Sequence, residues 1–191
     1  MSRRGWTIAA VLIALVLCLR PGVAAAAKAT ITDTGYKVKG NLVLIRFRVD
    51  GAFTPEMIEA IQSGLPTTFT FQIRLYREVA QLPDERLYSS QLQRTVQYDT
   101  LRQQYDVSTG DDHWIVRSID EAQRLMTQLD DVAVALAASL DPNQKYFAMV
   151  KAELAAVKLP FAISFLRTFV RAWDFETFWT RIDVAGREPK K

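Results

Sequence analysis

Few residues in this 191-residue chain could carry reactive chemistry, and their spacing limits what they can do. His113 is the single histidine and has no cysteine near it, so the two- to four-ligand His/Cys sets of zinc sites cannot be assembled. Asp111 and Asp112 beside it read as a solvated turn. Ser–His–Asp catalysis would have to use His113, and the chain has no G-x-S-x-G elbow, no S-x-x-K and no Gly-rich phosphate loop to support it. Two tyrosine–aspartate pairs, Tyr98-Asp99 and Tyr105-Asp106, fall in strand-like segments. Tyrosine and valine are good sheet residues, so a structural role with water-facing acids is expected rather than a catalytic carboxylate pair. The reading therefore assigns no catalytic, cofactor-binding or metal-ligating residue, and expects no cofactor and no metal.

Compartment is written in the first residues. Arg3 and Arg4 precede an apolar run from Trp6 to Leu19, and Arg20-Pro21-Gly22 then leads to Ala24–Ala27. This is the grammar of a secretory signal peptide over residues 1–27, with Ala26 and Ala27 flanking the expected cleavage points. The apolar run is 14 residues long by count, short of the roughly 20 that span a bilayer, so an uncleaved inner-membrane anchor is the alternative rather than the expectation. Cys18 follows Leu17, where a lipoprotein signal would have a small residue. Removing the leader takes away three arginines and no acids, so the 24 basic residues fall to 21, equal to the 21 acidic ones. That balance argues against nucleic acid as a partner, which needs a clustered basic face. The only cysteine leaves with the leader, so stability must come from a core, and residues 28–191 suffice for one domain.

The elements that must position any site alternate clearly. Thr54-Pro55-Glu56 is a helix start, with a capping hydroxyl, a proline where its missing N–H costs nothing, and an acid in the first turn. Met57, Ile58 and Ile61 share one face, and Gly64 followed by Pro66 is a stop, so a helix is expected over Thr54–Ser63. From Thr68 the period becomes 2, with Phe69, Phe71, Ile73 and Leu75 on the buried side and Thr68, Thr70, Gln72, Arg74 and Tyr76 on the wet side. Ahead of the helix, Ala29–Thr34 and Leu42–Val49 read as strands, with Gly35 and Gly40 bracketing the turn between them. Further strands are expected over Leu87–Tyr98, Leu101–Val107 and His113–Val116, with Ser108–Asp112 as a turn. Ser118-Ile119-Asp120-Glu121 is a capping box opening a second helix to Gln128, with Ile119, Ala122, Leu125 and Met126 as its buried stripe. Val132, Val134 and Leu136, then Tyr146–Leu154, complete the strands. The short connections imply antiparallel pairing.

The order of Ile58-Glu59-Ala60-Ile61-Gln62-Ser63-Gly64-Leu65-Pro66 before an aromatic strand, Val96–Leu101 with Tyr105, Ile119–Ala122, Tyr146–Leu154, Leu159-Pro160 and Trp173-Asp174 resembles the DUF4390 family of bacterial exported proteins. The resemblance covers nearly the whole mature chain and rests on pattern rather than on a reactive motif. It implies an envelope protein from a family with no established catalytic residues.

Residues 159–182 form the last segment of the expected domain. Phe161, Phe165, Leu166, Phe169, Val170 and Trp173 recur at helical spacing, with Arg167 and Arg171 on the opposite face. Capping the core is the expected role of such a helix. The functional alternative is a face against a membrane or partner, formed by Phe161, Phe165, Phe169 and Trp173 with Arg167 and Arg171. The sequence thus predicts an α+β domain of mostly antiparallel, sandwich-like sheet with two or three short helices. The expected function is a non-catalytic binding or assembly module of the bacterial envelope, located in the periplasm and meeting an envelope protein or a membrane surface. A carboxylate-dependent enzyme acting on envelope material is the alternative, and it would need two acids about 5 to 10 Å apart in a pocket.

Overall fold

The computed structural model describes residues 28–155 and 175–184. Among these residues nine strands form two antiparallel sheets, and the chain changes sheet through helical connectors. Strands β1 (Thr30–Lys39), β2 (Leu42–Asp50) and β7 (Gln128–Leu136) make a three-stranded sheet in the order β1-β2-β7. Strands β3 (Thr67–Arg77), β4 (Glu85–Asp99), β5 (Gln104–Thr109), β6 (Asp112–Val116), β8 (Tyr146–Leu154) and β9 (Thr180–Val184) make a six-stranded sheet in the order β6-β5-β4-β3-β8-β9. Helix α1 (Pro55–Gln62) carries the chain from β2 to β3, helix α2 (Ile119–Thr127) carries it back from β6 to β7, and a 3-10 turn (Ala137–Ser139) precedes the return to β8. The fold is α+β and dominated by antiparallel sheet.

Both helix starts follow from local chemistry. Thr54 Oγ1 accepts a hydrogen bond from Met57 N at 3.2 Å. The Glu56 carboxyl is held below its usual range by its own backbone N–H first and then by the Thr54 hydroxyl. Gly64 ends the unit at φ +88°, a conformation that costs a residue with a Cβ. At α2, Ser118 Oγ accepts from Asp120 N at 3.2 Å. The expected reciprocal pairing of Ser118 with Glu121 is replaced by this bond one residue earlier. Ala122 and Met126 of the expected stripe are buried, with Ile119 and Leu125 partly so.

Packing between the sheets rests on alternate residues of their central strands. Val43, Ile45, Phe47 and Val49 of β2 and Phe69, Phe71, Ile73 and Leu75 of β3 are all buried, and Phe47 meets Phe71 edge-on with ring centroids 6.0 Å apart. Phe69 is flanked by Phe53 at 5.1 Å and Phe175 at 4.8 Å. Burying each such ring contributes roughly 2 to 3 kcal/mol, which makes this row the main stabilising feature of the layer. Leu44 and Thr70, on the outward side of their strands, are buried too, so the outer faces are not uniformly wet.

Several boundaries depart from expectation. Gly35 lies inside β1 at a register shift opposite Arg46, and the turn is Gly40-Asn41 alone. The bulge inserts one extra residue in β1, and pairing resumes beyond it to Lys39. Leu101 is in a turn, not a strand, because Asp99 Oδ1 accepts from the backbone N–H of both Leu101 and Arg102 and folds the chain back at once. Ser108 and Thr109 belong to β5, and a two-residue turn at Gly110-Asp111 replaces the expected five-residue one. In β7 the alternation of Val132, Val134 and Leu136 is broken by irregular register. Asp131 has φ +58°, Leu129 and Val134 are buried, and Leu136 is exposed. Finally, Thr180–Ile182 are not the end of a helical segment: they open β9, where Ile182 is buried opposite Ala148. The strand was hidden because aromatic density continues through Phe175, Phe178 and Trp179 without a break in hydrophobicity.

Candidate functional site

Three places gather polar or exposed apolar groups in ways that a plain core does not require. The first is a row on the outward side of the β4–β5–β6 corner. The Gly110-Asp111 turn sets Ser108 opposite His113, and Asp106, two residues before Ser108, shares their side. The Asp106 carboxylate accepts from His113 Nε2 at 2.8 Å. The order hydroxyl, imidazole, carboxylate is that of an acyl-transfer triad. Its setting is different: His113 and Asp106 are about half exposed, so charge developing there would be stabilised only as well as water does it. The described residues hold no group of three or more His, Cys, Asp or Glu side chains suited to a metal. Sequence reasoning missed the Asp106–His113 pair because it placed Ser108 in the turn. A two-residue turn at Gly110, φ +54°, was the available signal.

The second place is Arg94, which points from β4 to the inner side beyond the cover of the small sheet. Its Nη1 donates to Gln128 O at 2.7 Å and also to Leu125 O, tying the C-terminus of α2 and the first residue of β7 to the large sheet. A cation suits the negative end of a helix. Burial pushes the guanidinium below its usual range, opposed by Asp130, and Nε has no partner among the described residues. Trp114, Glu121 and Arg124 line the cleft around it.

The third place is one end of the six-stranded sheet. The end of β8 is joined there to the approach to β9 by the Glu153–Glu176 bridge and by Leu154 N to Phe175 O at 3.0 Å, and to β3 by Ala155 N to Thr68 O at 2.8 Å. Leu154 and Phe175 therefore lie side by side at this end. Two strands away at the same end, Leu101 stands 94% exposed at the tip of the β4–β5 turn, next to Arg102. Phe178, 73% exposed, lies under the Lys28 ammonium at 3.7 Å from its centroid. On the adjoining outer face the Arg74 guanidinium stacks on Trp179 at 4.3 Å, Tyr76 stacks on Phe147 at 5.3 Å, and Arg181 covers Phe147 at 3.9 Å. Lys151 bonds Glu176 and lies 3.5 Å from Glu153, and the Glu176 bond holds its pKa above the ordinary lysine value.

The sequence-predicted face of Phe161, Phe165, Phe169, Trp173, Arg167 and Arg171 lies outside the described residues, as do Ala26 and Ala27. Of the expected carboxylates, Asp99 holds the β4–β5 turn and Asp106 holds His113, while Tyr98 and Tyr105 pack together with centroids 4.7 Å apart. Neither pair forms a shared acidic site.

Two antiparallel sheets bridged by helical connectors define a mostly-β α+β protein. The chain belongs to the DUF4390 family, whose model, described as a domain of unknown function, matches residues 26–183. No curated protein and no solved structure matches it.

Proposed function

We propose that this protein is a non-catalytic binding module of the bacterial cell envelope, exported to the periplasm and working through the end of the large sheet that carries Leu101, Ala155 and Phe175. The observation that supports this reading is the placement of Leu101. A leucine that is almost fully exposed beside an arginine, at the tip of a tight turn, stabilises nothing in its own fold. The sequence between residues 155 and 175 adds Phe161, Phe165, Phe169 and Trp173 with Arg167 and Arg171, the composition of a surface that meets a membrane or an apolar protein patch. The leader supplies the route to the envelope.

Photo-crosslinking in cells tests it. A photoreactive residue replaces Leu101, and a control replaces Gln81, which lies in the β3–β4 loop at the opposite end. The proposal expects adducts from position 101 and not from position 81. Lipid adducts identify a membrane surface, and a discrete protein band identifies an envelope protein. Equal or absent labelling at the two positions overturns the reading.

A further inference from the structure

Strand β4 is 15 residues long, yet β5 pairs with it only from Thr95 to Asp99. Among the described residues, no strand pairs with the same edge between Glu85 and Arg94. Thr109 Oγ1 donates to Gln93 O at 2.8 Å from that side, which fixes the orientation of the backbone. Residues of an antiparallel strand direct both N–H and C=O to alternate sides, so Ser89 and Gln91, in phase with Gln93, present theirs to the open edge. A groove lined by Ser90, Gln91, Leu92, Gln93, Thr109 and Gly110 runs along it. Edge strands usually carry charges or prolines that discourage pairing. The stretch Leu87-Tyr88-Ser89-Ser90-Gln91-Leu92-Gln93 has neither. Among the described residues its guards are Asp112, which also lines the groove, and a register shift at Leu87, between the pairs Leu75–Tyr88 and Tyr76–Arg86.

We propose that this open edge of β4 pairs antiparallel with the same edge of a second copy of the chain, about a two-fold axis through Ser90. The commitment to a second copy comes from the self-complementarity of the stretch. With Ser90 opposite Ser90, Ser89 falls opposite Gln91, and both carry outward N–H and C=O groups, so the two copies exchange four backbone hydrogen bonds. On the inner side Tyr88, 39% exposed, comes opposite the partly buried Leu92 of the other copy, and the pairing occurs twice. The register shift at Leu87 takes Arg86 out of line close to where the other copy's β5 ends at Thr109. The inference goes beyond the envelope-binding reading and does not depend on it, since it uses a different edge and needs no membrane or partner protein.

The test uses the full chain, expressed with its leader and purified as the host processes it. Sedimentation velocity over a range of concentrations is expected to show reversible dimerisation. In Ser89→Pro the missing N–H is one that points to open solvent rather than to β3, so the variant keeps the wild-type melting temperature and its dimer weakens by about tenfold or more. In a Cys18→Ala background, Ser90→Cys is expected to form a reducible disulfide-linked dimer, because non-hydrogen-bonded antiparallel partners bring Cα atoms to about 4.5 Å. Glu121→Cys, on the exposed side of α2, is expected not to crosslink. A wild type that stays monomeric with no Ser90→Cys crosslink overturns the proposal. So does a dimer that survives intact in a folded Ser89→Pro protein, which places the interface elsewhere, or a Glu121→Cys crosslink as efficient as that of Ser90→Cys.

Discussion

The contact between Phe47 and Phe71 joins the two sheets through β2 and β3, and a double-mutant cycle measures it. Both rings are no more than 1% exposed, and they meet edge-on at 6.0 Å. Replacing either by leucine removes part of a ring from a filled space. Core Phe→Ala changes cost about 3 to 5 kcal/mol and Leu→Ala changes about 2 to 5, so Phe→Leu at a packed site, the difference between them plus the void a smaller side chain leaves, is expected to cost about 1 kcal/mol. Edge-to-face geometry adds about 0.5 to 1.5 kcal/mol beyond area, and that increment is lost once whichever ring is removed. Phe47→Leu with Phe71→Leu should therefore cost less than the sum of the singles by about 0.5 to 1.5 kcal/mol. Urea unfolding at constant slope gives all four stabilities, and leucine keeps the double variant folded enough to measure. Strict additivity, within about 0.3 kcal/mol, would refute the facing of β2 and β3 through these rings.

Three further outcomes follow from local features. Gly64→Val places a β-branched side chain at φ +88° and is expected to cost at least about 1 kcal/mol in thermal melts, whereas an unchanged melting temperature would mean that α1 does not end there. The Asp50 pKa is lowered chiefly by the Thr32 hydroxyl, which donates to its Oδ2 at 2.6 Å, and further by Arg48. A depressed carboxyl stabilises the fold above its unfolded pKa of about 3.9 and loses that contribution as pH falls through the folded value, so urea midpoints should drop below about pH 4 and Thr32→Val should flatten that drop. An acid limb of unchanged depth in Thr32→Val would remove Asp50 from the account. Mass spectrometry of the native protein is expected to find an N-terminus at Ala27 or Lys28, and an intact leader would assign membrane anchoring through Trp6–Leu19 instead.

Where the sequence was legible, two independent signals agreed. The α1–β3 unit has a capping threonine, a first-turn proline and a stop glycine as well as a change of period at Thr68, and its helix and strand lie within a residue of expectation at every end. β7 had only one signal, its alternation, and two register shifts, one beside Asp131 and one between Ala133 and Ala135, were enough to change which side chains face inward. A bulge leaves no mark in a hydrophobic pattern when the inserted residue is an exposed acid. β9 failed for the opposite reason. Phe175 and Ile182 face the core, while Phe178 and Trp179 face outward against Lys28 and Arg74, so aromatic side chains occupy both sides of a five-residue strand and its approach. Cation–aromatic contacts make such an outer face stable, and they look like continuous apolar sequence.

The candidate sites were hidden because they arise from where strands end rather than from which residues they contain. β5 turns at Gly110 after only six residues, and β6 returns the chain to the same end of the sheet so that α2 can start at Ser118 and cross to β7. Had β5 run the full length of β4, the Gln93–Glu85 edge would be paired. Arg94 stands at the point where β4 loses its partner, and there its guanidinium replaces a neighbouring strand by holding the carbonyls of Leu125 and Gln128. Nothing in the sequence around Arg94 distinguishes it from Arg86 or Arg102, which are exposed. What sets it apart is the helix terminus delivered to it by residues more than 30 positions away.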